Sequence, residues 1–299
     1  MWFVGSEKPC IYSVPNRKQS YVSERNIPVI FYSYTIDGKE YVDDMLRNPE
    51  ALPQFYQFLE EDKLPSTSQI NEFNYLNFFE QQLQHGDLLH IAFGSGMTQS
   101  VRNAELAADE LREKYPERKI IVIDSLCSSS GYGMLVDYAA DMRDKGCTME
   151  EIERWVIDNR QNIHHQFFST ELKHYRRSGR MSGATAMVAT VLGICPIMRL
   201  DDKGRIIAYG KVRGKNNAIK ATVDAMEAHA QGGRNYTGKC FICHSQCIQD
   251  AEKTKAAILE RFPHIQGDVR IVDIGTIIAS HCGPGTVAIF FLGDERAPE

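Results

Sequence analysis

Two short, nearly continuous apolar runs, Leu88 to Phe93 and Lys119 to Asp124, constrain this chain most. A strand that is apolar on both faces fits a sheet covered on both sides, which is the setting of parallel strands. After the first run come Gly94-Ser95-Gly96 and a predicted helix over 98–115, with Val101, Ala104, Ala108, Leu111 and Tyr115 on one stripe. After the second come a Ser- and Gly-rich turn at 125–133 and a helix to about Lys145. Thr148 opens another helix, and Glu151 three residues on completes a capping box. Strand, loop and helix in alternation predict an α/β fold with a mostly parallel, doubly wound sheet. Loops at the carboxyl ends of such strands are where ligands bind, and 94–98 and 125–133 hold that position.

The remaining pattern extends this frame. Ile27 to Tyr34 reads as a strand followed by an Asp37-Gly38 turn. Residues 53–61 and 70–84 read as helices, with a hydroxyl-rich loop at 64–69 between them. Residues 1–26 show no clear periodicity. Beyond 165 the character changes. A basic helix at 171–178 stops at Gly179, and 182–192 is small, apolar and helix-like. Residues 196–200 and 205–212 flank Asp201-Asp202-Lys203-Gly204 as a hairpin, and helices follow near 215–230 and 249–262. Strands are expected at 238–243, at 269–274 and on either side of His281. This predicts a second α/β layer with antiparallel strands. The expected division is an N-terminal domain over 1–164 and a C-terminal domain over 165–299, with the 64–70 loop packed on the second.

Charge and hydropathy exclude some functions. The 299 residues carry a net charge of −5, so no basic face for nucleic acid is expected. The longest nearly apolar stretch, 187–198, contains Pro196 and is too short to span a bilayer, so an integral membrane protein is not expected. No apolar leader core follows Met1, and the eight cysteines read as reduced thiols of a cytoplasmic protein. Cys240-Phe241-Ile242-Cys243 invites a metal reading, but Phe and Ile favour a strand, in which positions i and i+3 point to opposite faces. No metal is therefore expected.

The candidate site residues lie in loops. Ser280-His281-Cys282-Gly283-Pro284-Gly285-Thr286 falls between apolar runs at 274–279 and 287–292, and reads as a stiff turn between two strands that presents His281. Thr67, Ser68, Ser95, Ser125 and Ser128 to Ser130 place hydroxyls in loops, several after successive strands. Such hydroxyls cap helices and form turns, and they can also bind a carboxylate or phosphate. An alternative is a hydrolase or phosphoryl-transfer enzyme that uses Ser95 or Ser125 with His281; for a hydrolase, Asp124, Ser125 and His281 are the triad that can be drawn. Against it, the chain has neither G-x-S-x-G nor G-x-x-x-x-G-K-[ST]. Arg180 lies past the Gly179 helix stop, where it faces either an anion or an acidic partner.

Taken in order, these segments resemble the DegV family of bacterial fatty-acid-binding proteins over about residues 22–295. Leu64-Pro65-Ser66-Thr67-Ser68-Gln69 resembles the family's T-S-Q loop, and Ser95-Gly96-Met97-Thr98-Gln99-Ser100 its S-G-T-Y-Q-S segment. Ile123-Asp124-Ser125 with Ser130-Gly131-Tyr132-Gly133, Ser178-Gly179-Arg180-Met181-Ser182, Gly193 to Ile197, and His281-Cys282-Gly283-Pro284-Gly285 match further family motifs. The resemblance implies two α/β domains with one long-chain fatty acid in a tunnel between them. It implies that Thr67 and Ser95 bind the carboxylate with His281 beside it, and that Ser68, Gly96, Ser125 and Gly283 line the pocket. It also implies a non-catalytic carrier without metal or other cofactor, which presents its ligand to a separate fatty acid kinase, with Arg180 as a partner or phosphate contact. Two departures stand out. The family's first strand ends in D-S, where this chain has Tyr12-Ser13, and its S-S-x-x-S-G is shortened to Phe93-Gly94-Ser95-Gly96.

Overall fold

The computed structural model describes residues 2–7 (as backbone), 25–45, 47–181, 193–265, 267 and 269–299. The first elements are β1 (Trp2–Glu7), β2 (Val29–Ile30), β3 (Ser33–Ile36), β4 (Lys39–Val42), α1 (Ala51–Glu60), β5 (Ser66–Ser68) and α2 (Glu72–Leu83). Next come β6 (Asp87–Ala92), α3 (Ser100–Lys114), β7 (Ile120–Asp124), α4 (Ser129–Asp144), α5 (Met149–Asn159), β8 (Ile163–Ser169) and α6 (Lys173–Ser178). The chain ends with β9 (Ile194–Leu200), β10 (Ile206–Arg213), α7 (Lys215–His229), β11 (Cys240–His244), α8 (Ile248–Arg261), β12 (Arg270–Asp273), α9 (Thr276–Cys282) and β13 (Thr286–Leu292).

Local chemistry sets many of these boundaries. Thr148 and Glu151 form the reciprocal capping box at the start of α5. Gly179 takes a left-handed conformation and stops α6. Asp37 and Gly38 both have positive φ, which matches the twist that a tight β3–β4 hairpin needs.

Three sheets result. One is all parallel, in the order β2-β1-β6-β7. A six-stranded sheet runs β10-β9-β8-β13-β11-β12 and is antiparallel except at β11–β12. A small antiparallel sheet runs β4-β3-β5. Helix α4 is buried from Ser129 to Val136 and shares one apolar cluster with residues of both large sheets. Tyr132 in its first turn is fully buried and donates to the Ile91 carbonyl (2.8 Å), which ties α4 to β6. Helices α2 and α3 cover the other face of the parallel sheet, and α7 and α8 the other face of the six-stranded one. The alternating half thus folds as its pattern predicts. The six-stranded sheet takes up the chain at Ile163, just ahead of 165. No helix among the described residues is long and apolar enough to cross a membrane.

Four expectations are corrected. The apolar run before His281 is a helix, α9, not a strand. Its Ile277 amide donates to Asp43 Oδ2 (3.1 Å), so a residue remote in sequence supplies the cap that the local sequence lacks. The Ile27 to Tyr34 run is split: Val29–Ile30 joins the parallel sheet and Ser33–Ile36 the small one. Ser66–Ser68, expected as loop, is a strand paired with β3. A strand also exists within the aperiodic N-terminus, at Trp2–Glu7, because β2 and β6 hydrogen-bond it from both sides. Ser13 and the 182–192 helix lie outside the described residues.

Candidate functional site

The elements that end near one another place a cavity of about 490 Å³ between the parallel and six-stranded sheets. Its walls are chiefly apolar and include Phe93, Phe167, Leu200, Ile206, Ile277 and Phe290. Thr67, Ser68, Ser95, Gly96, Arg180 and His281 all line it. Six of the eight residues singled out from the sequence are therefore on one cavity, contributed by β5, the β6–α3 loop, the segment after α6, and α9.

Each is held by a different device. Thr67 is fixed by pairing opposite Tyr34 in the small sheet, and its Oγ1 lies 3.1 Å from His281 Nε2. This bond joins β5 to α9. Asp124, at the end of β7, accepts from both the Ser95 and Leu126 amides through Oδ1 (3.0 Å each). The two strand-end loops are thereby locked together, and the Gly94 amide adds a bond to the Cys127 carbonyl (3.0 Å). Gly96 faces the β9–β10 turn main chain to main chain: a Cβ there would come within 2.5 Å of Gly204 C and O and of Lys203 O. Only glycine permits that approach.

Electrostatics favour an anion at this place. Burial holds the His281 imidazole down at about 4, helped by the positive charges of Arg180 and Arg177. His281 is thus neutral at pH 7. Its Nδ1 is buried and has no hydrogen-bond partner among the described residues. Arg180 donates to the Ser178 carbonyl, and no carboxylate pairs with it among the described residues. A carboxylate placed here would meet hydroxyl donors and a neutral imidazole, with the Arg180 guanidinium elsewhere on the same cavity wall.

Two expected lining residues are not there. Ser125 is fully buried and closes its own turn: its Oγ accepts from the Cys127 amide (3.1 Å) and faces the Cys127 carbonyl (3.4 Å). Gly283 has φ +65° and ends α9, and a Cβ on it would lie 2.2 Å from His174 Cδ2. Its role is close packing rather than ligand contact. The Asp124, Ser125 and His281 arrangement of the hydrolase alternative is also not assembled. Asp124 binds loop amides, and His281 Nε2 pairs with Thr67 rather than with Ser95 or Ser125.

The strand reading of Cys240 and Cys243 agrees with the structure. Both are free and buried on β11. Cys243 lines the cavity, while Cys240 belongs to the apolar cluster on the opposite face. Ser128 and Ser129, from the hydroxyl-rich turn after β7, also line the cavity, and other lining residues escape sequence reasoning, notably His165. The Ser128 amide donates to His165 Nε2 (3.1 Å), and His165 Nδ1 lies 2.9 Å from the Ile163 carbonyl. Burial, reinforced by the nearby Arg296 charge, pushes the His165 imidazole well below its ordinary range. The signal was the all-buried run IHHQFFS, in which alternate residues must face the cavity side of β8.

Fold and site together define a class: α/β proteins in which a parallel and a mixed sheet enclose an apolar cavity headed by hydroxyls. A family model described as "Uncharacterised protein, DegV family" matches residues 15–294. The chain belongs to the DegV family. A DegV domain-containing protein of Clostridium perfringens is 34% identical over 288 residues, covering 96% of this chain and 97% of that one. Among solved structures, a DegV family protein from Thermus thermophilus described for fatty acid binding superposes with a TM-score of 0.85 at 22% identity, covering 98% of this chain and 99% of that one. The Streptococcus pneumoniae fatty acid kinase (Fak) B3 protein, loaded with linoleic acid, gives a TM-score of 0.82 at 18% identity, with 98% and 99% covered.

Proposed function

We propose that this protein binds one long-chain fatty acid in the cavity, with the carboxylate at Thr67, Ser95 and His281, and presents it to a separate fatty acid kinase. The observation that carries the reading is the single cavity surface on which those three residues and Arg180 meet a mostly apolar wall. Its volume, about 490 Å³, suits one such chain. A sixteen-carbon tail would bury about fourteen methylenes, worth roughly 11 kcal/mol at ~0.8 kcal/mol each before ordering costs. The same tail brings a carboxylate out of water, which is tolerable only where hydrogen-bond donors wait. The Thermus thermophilus and Streptococcus pneumoniae neighbours, named for fatty acid binding and for linoleic acid, support the ligand class.

The role is that of a carrier without a catalytic group of its own, acting in the cytoplasm as two lobes over 1–164 and 165–299. The self-contained turn of Ser125 and the pairing of His281 with Thr67 favour this over hydrolysis. The test is acyl-phosphate formation from ATP and a long-chain fatty acid by a fatty acid kinase, with and without this protein. Formation that depends on the protein is expected. Equal rates without it would overturn the presenting role.

A further inference from the structure

A second cluster of ligand-type side chains lies away from the cavity. His164 of β8, His229 in the last turn of α7 and Asp294 after β13 direct a nitrogen, a nitrogen and a carboxylate oxygen to one point, with all these atoms within 4.8 Å of one another. His164 Nε2 is 2.9 Å from Asp294 Oδ1. His229 Nδ1 is 3.1 Å from the same oxygen and 3.2 Å from Oδ2. None of the three lines the cavity.

We infer that His164, His229 and Asp294 form a binding site for a divalent transition-metal ion of the zinc class. Metal–nitrogen and metal–oxygen distances of about 2.0–2.2 Å in a tetrahedral shell require ligand atoms slightly more than 3 Å apart. The two nitrogen–oxygen separations need to open by only tenths of an ångström, and the two nitrogens already lie within 4.8 Å of each other. Imidazoles with one carboxylate select zinc, nickel, copper or cobalt over magnesium and calcium, and three protein ligands leave one position for water.

The ligands are also held in place without a metal. The His164 ring stacks with two others, 4.9 Å from His229 and 5.1 Å from Phe291, both nearly parallel to it. The Asp294 amide donates to the His229 carbonyl (3.0 Å), and the Gly293 amide to the Asn162 carbonyl (2.8 Å). Three elements therefore reach the site with their backbones already fixed, so little binding energy is spent on ordering them. His164 is buried while His229 and Asp294 are exposed at 41% and 59% of their side chains, which gives an ion a route in. The ligands are separated by 65 and 130 positions in the chain, so no motif spacing reveals them.

The site also reaches toward the cavity. Two residues past Asp294, the buried Arg296 donates to the Leu126 carbonyl (2.8 Å) and the Ile163 carbonyl (3.1 Å), beside the cavity-lining His165. An ion that anchors Asp294 would hold this terminal segment, and Arg296 with it, in place.

The test is titration of the untagged protein with Zn²⁺ against a chromophoric chelator and with Co²⁺ by absorption. One ion bound at micromolar affinity or tighter is expected, with no thiolate charge-transfer band from Co²⁺. His229→Gln and Asp294→Asn alter exposed side chains and should fold. Each should weaken binding by more than the roughly 10–100-fold that loss of an outer hydrogen-bonding partner costs. Zn²⁺ should raise the melting temperature of the parent and not of the variants. No binding at micromolar concentrations, a thiolate band, or affinity unchanged in both variants would overturn the site.

Discussion

Replacing Thr67 by Val keeps the shape of the side chain and removes its only polar atom. Two partners then lose a hydrogen bond: His281 Nε2, 3.1 Å away in the protein, and a carboxylate oxygen of the proposed ligand. Leaving a buried polar group unsatisfied costs about 1–3 kcal/mol. The loss at His281 is present with or without ligand, so it lowers stability but cancels from the binding equilibrium. The loss at the carboxylate appears only on binding, and amounts to roughly 5- to 150-fold in Kd. Ser95→Ala removes a hydroxyl on a residue whose backbone N–H donates to Asp124 Oδ1, a hydrogen bond the substitution leaves intact. The double variant should therefore bind a long-chain fatty acid far more weakly than either single one, while melting only a few degrees lower than the parent. Isothermal titration with a long-chain fatty acid, alongside thermal melts, separates the two effects. Unchanged affinity in a double variant that still folds would refute the head-group assignment.

Other expectations follow from the same geometry. Gly96→Val forces a side chain against the main chain of Lys203 and Gly204, and should cost about 1–3 kcal/mol, read as a lower melting temperature. The His281 imidazole titrates near 4 when folded and 6.5 when unfolded, so its charging opposes the fold. Stability is unaffected above the unfolded value and falls as pH drops from 6.5 toward 4, by up to roughly 3 kcal/mol from this group. His281→Gln should flatten that part of the acid unfolding profile, and an identical profile would exclude His281 as its source. Arg180→Ala should lower acyl-phosphate formation with a fatty acid kinase while fatty acid affinity is kept, whereas equal loss of both would assign Arg180 to ligand binding alone.

The sequence shows those parts of the fold where local pattern and tertiary environment agree. The runs at 88–93 and 119–124 are apolar on both faces because α2 and α3 cover one side of the parallel sheet and α4 the other. The hydroxyl and glycine loops after them are legible because main-chain contact among Gly94, Gly96, Cys127 and Gly204 allows little else. Thr276 to His281 misleads because Ile277 and Ile278 are strand-forming by propensity. What turns them into a helix is the Asp43 carboxylate at the Ile277 amide, and that information sits 234 positions away. β1 is invisible for a similar reason, since its pairing with β2 and β6 is supplied by neighbours and not by its own pattern. His281 falls on the cavity although its element is a helix and not the expected strand-end turn, because the glycine that ends α9 and that turn mark the same chain reversal. Ser125 was misplaced because a serine after a strand serves either a ligand or its own turn, and only the Cys127 amide decides between them.

Native mass spectrometry of the protein purified from a bacterial host tests the central claim most directly. The account predicts a complex one long-chain fatty acid heavier than the polypeptide, released on denaturation and lost in the Thr67→Val, Ser95→Ala double variant. Bare polypeptide mass in repeated preparations, with no uptake of added long-chain fatty acid, would contradict it.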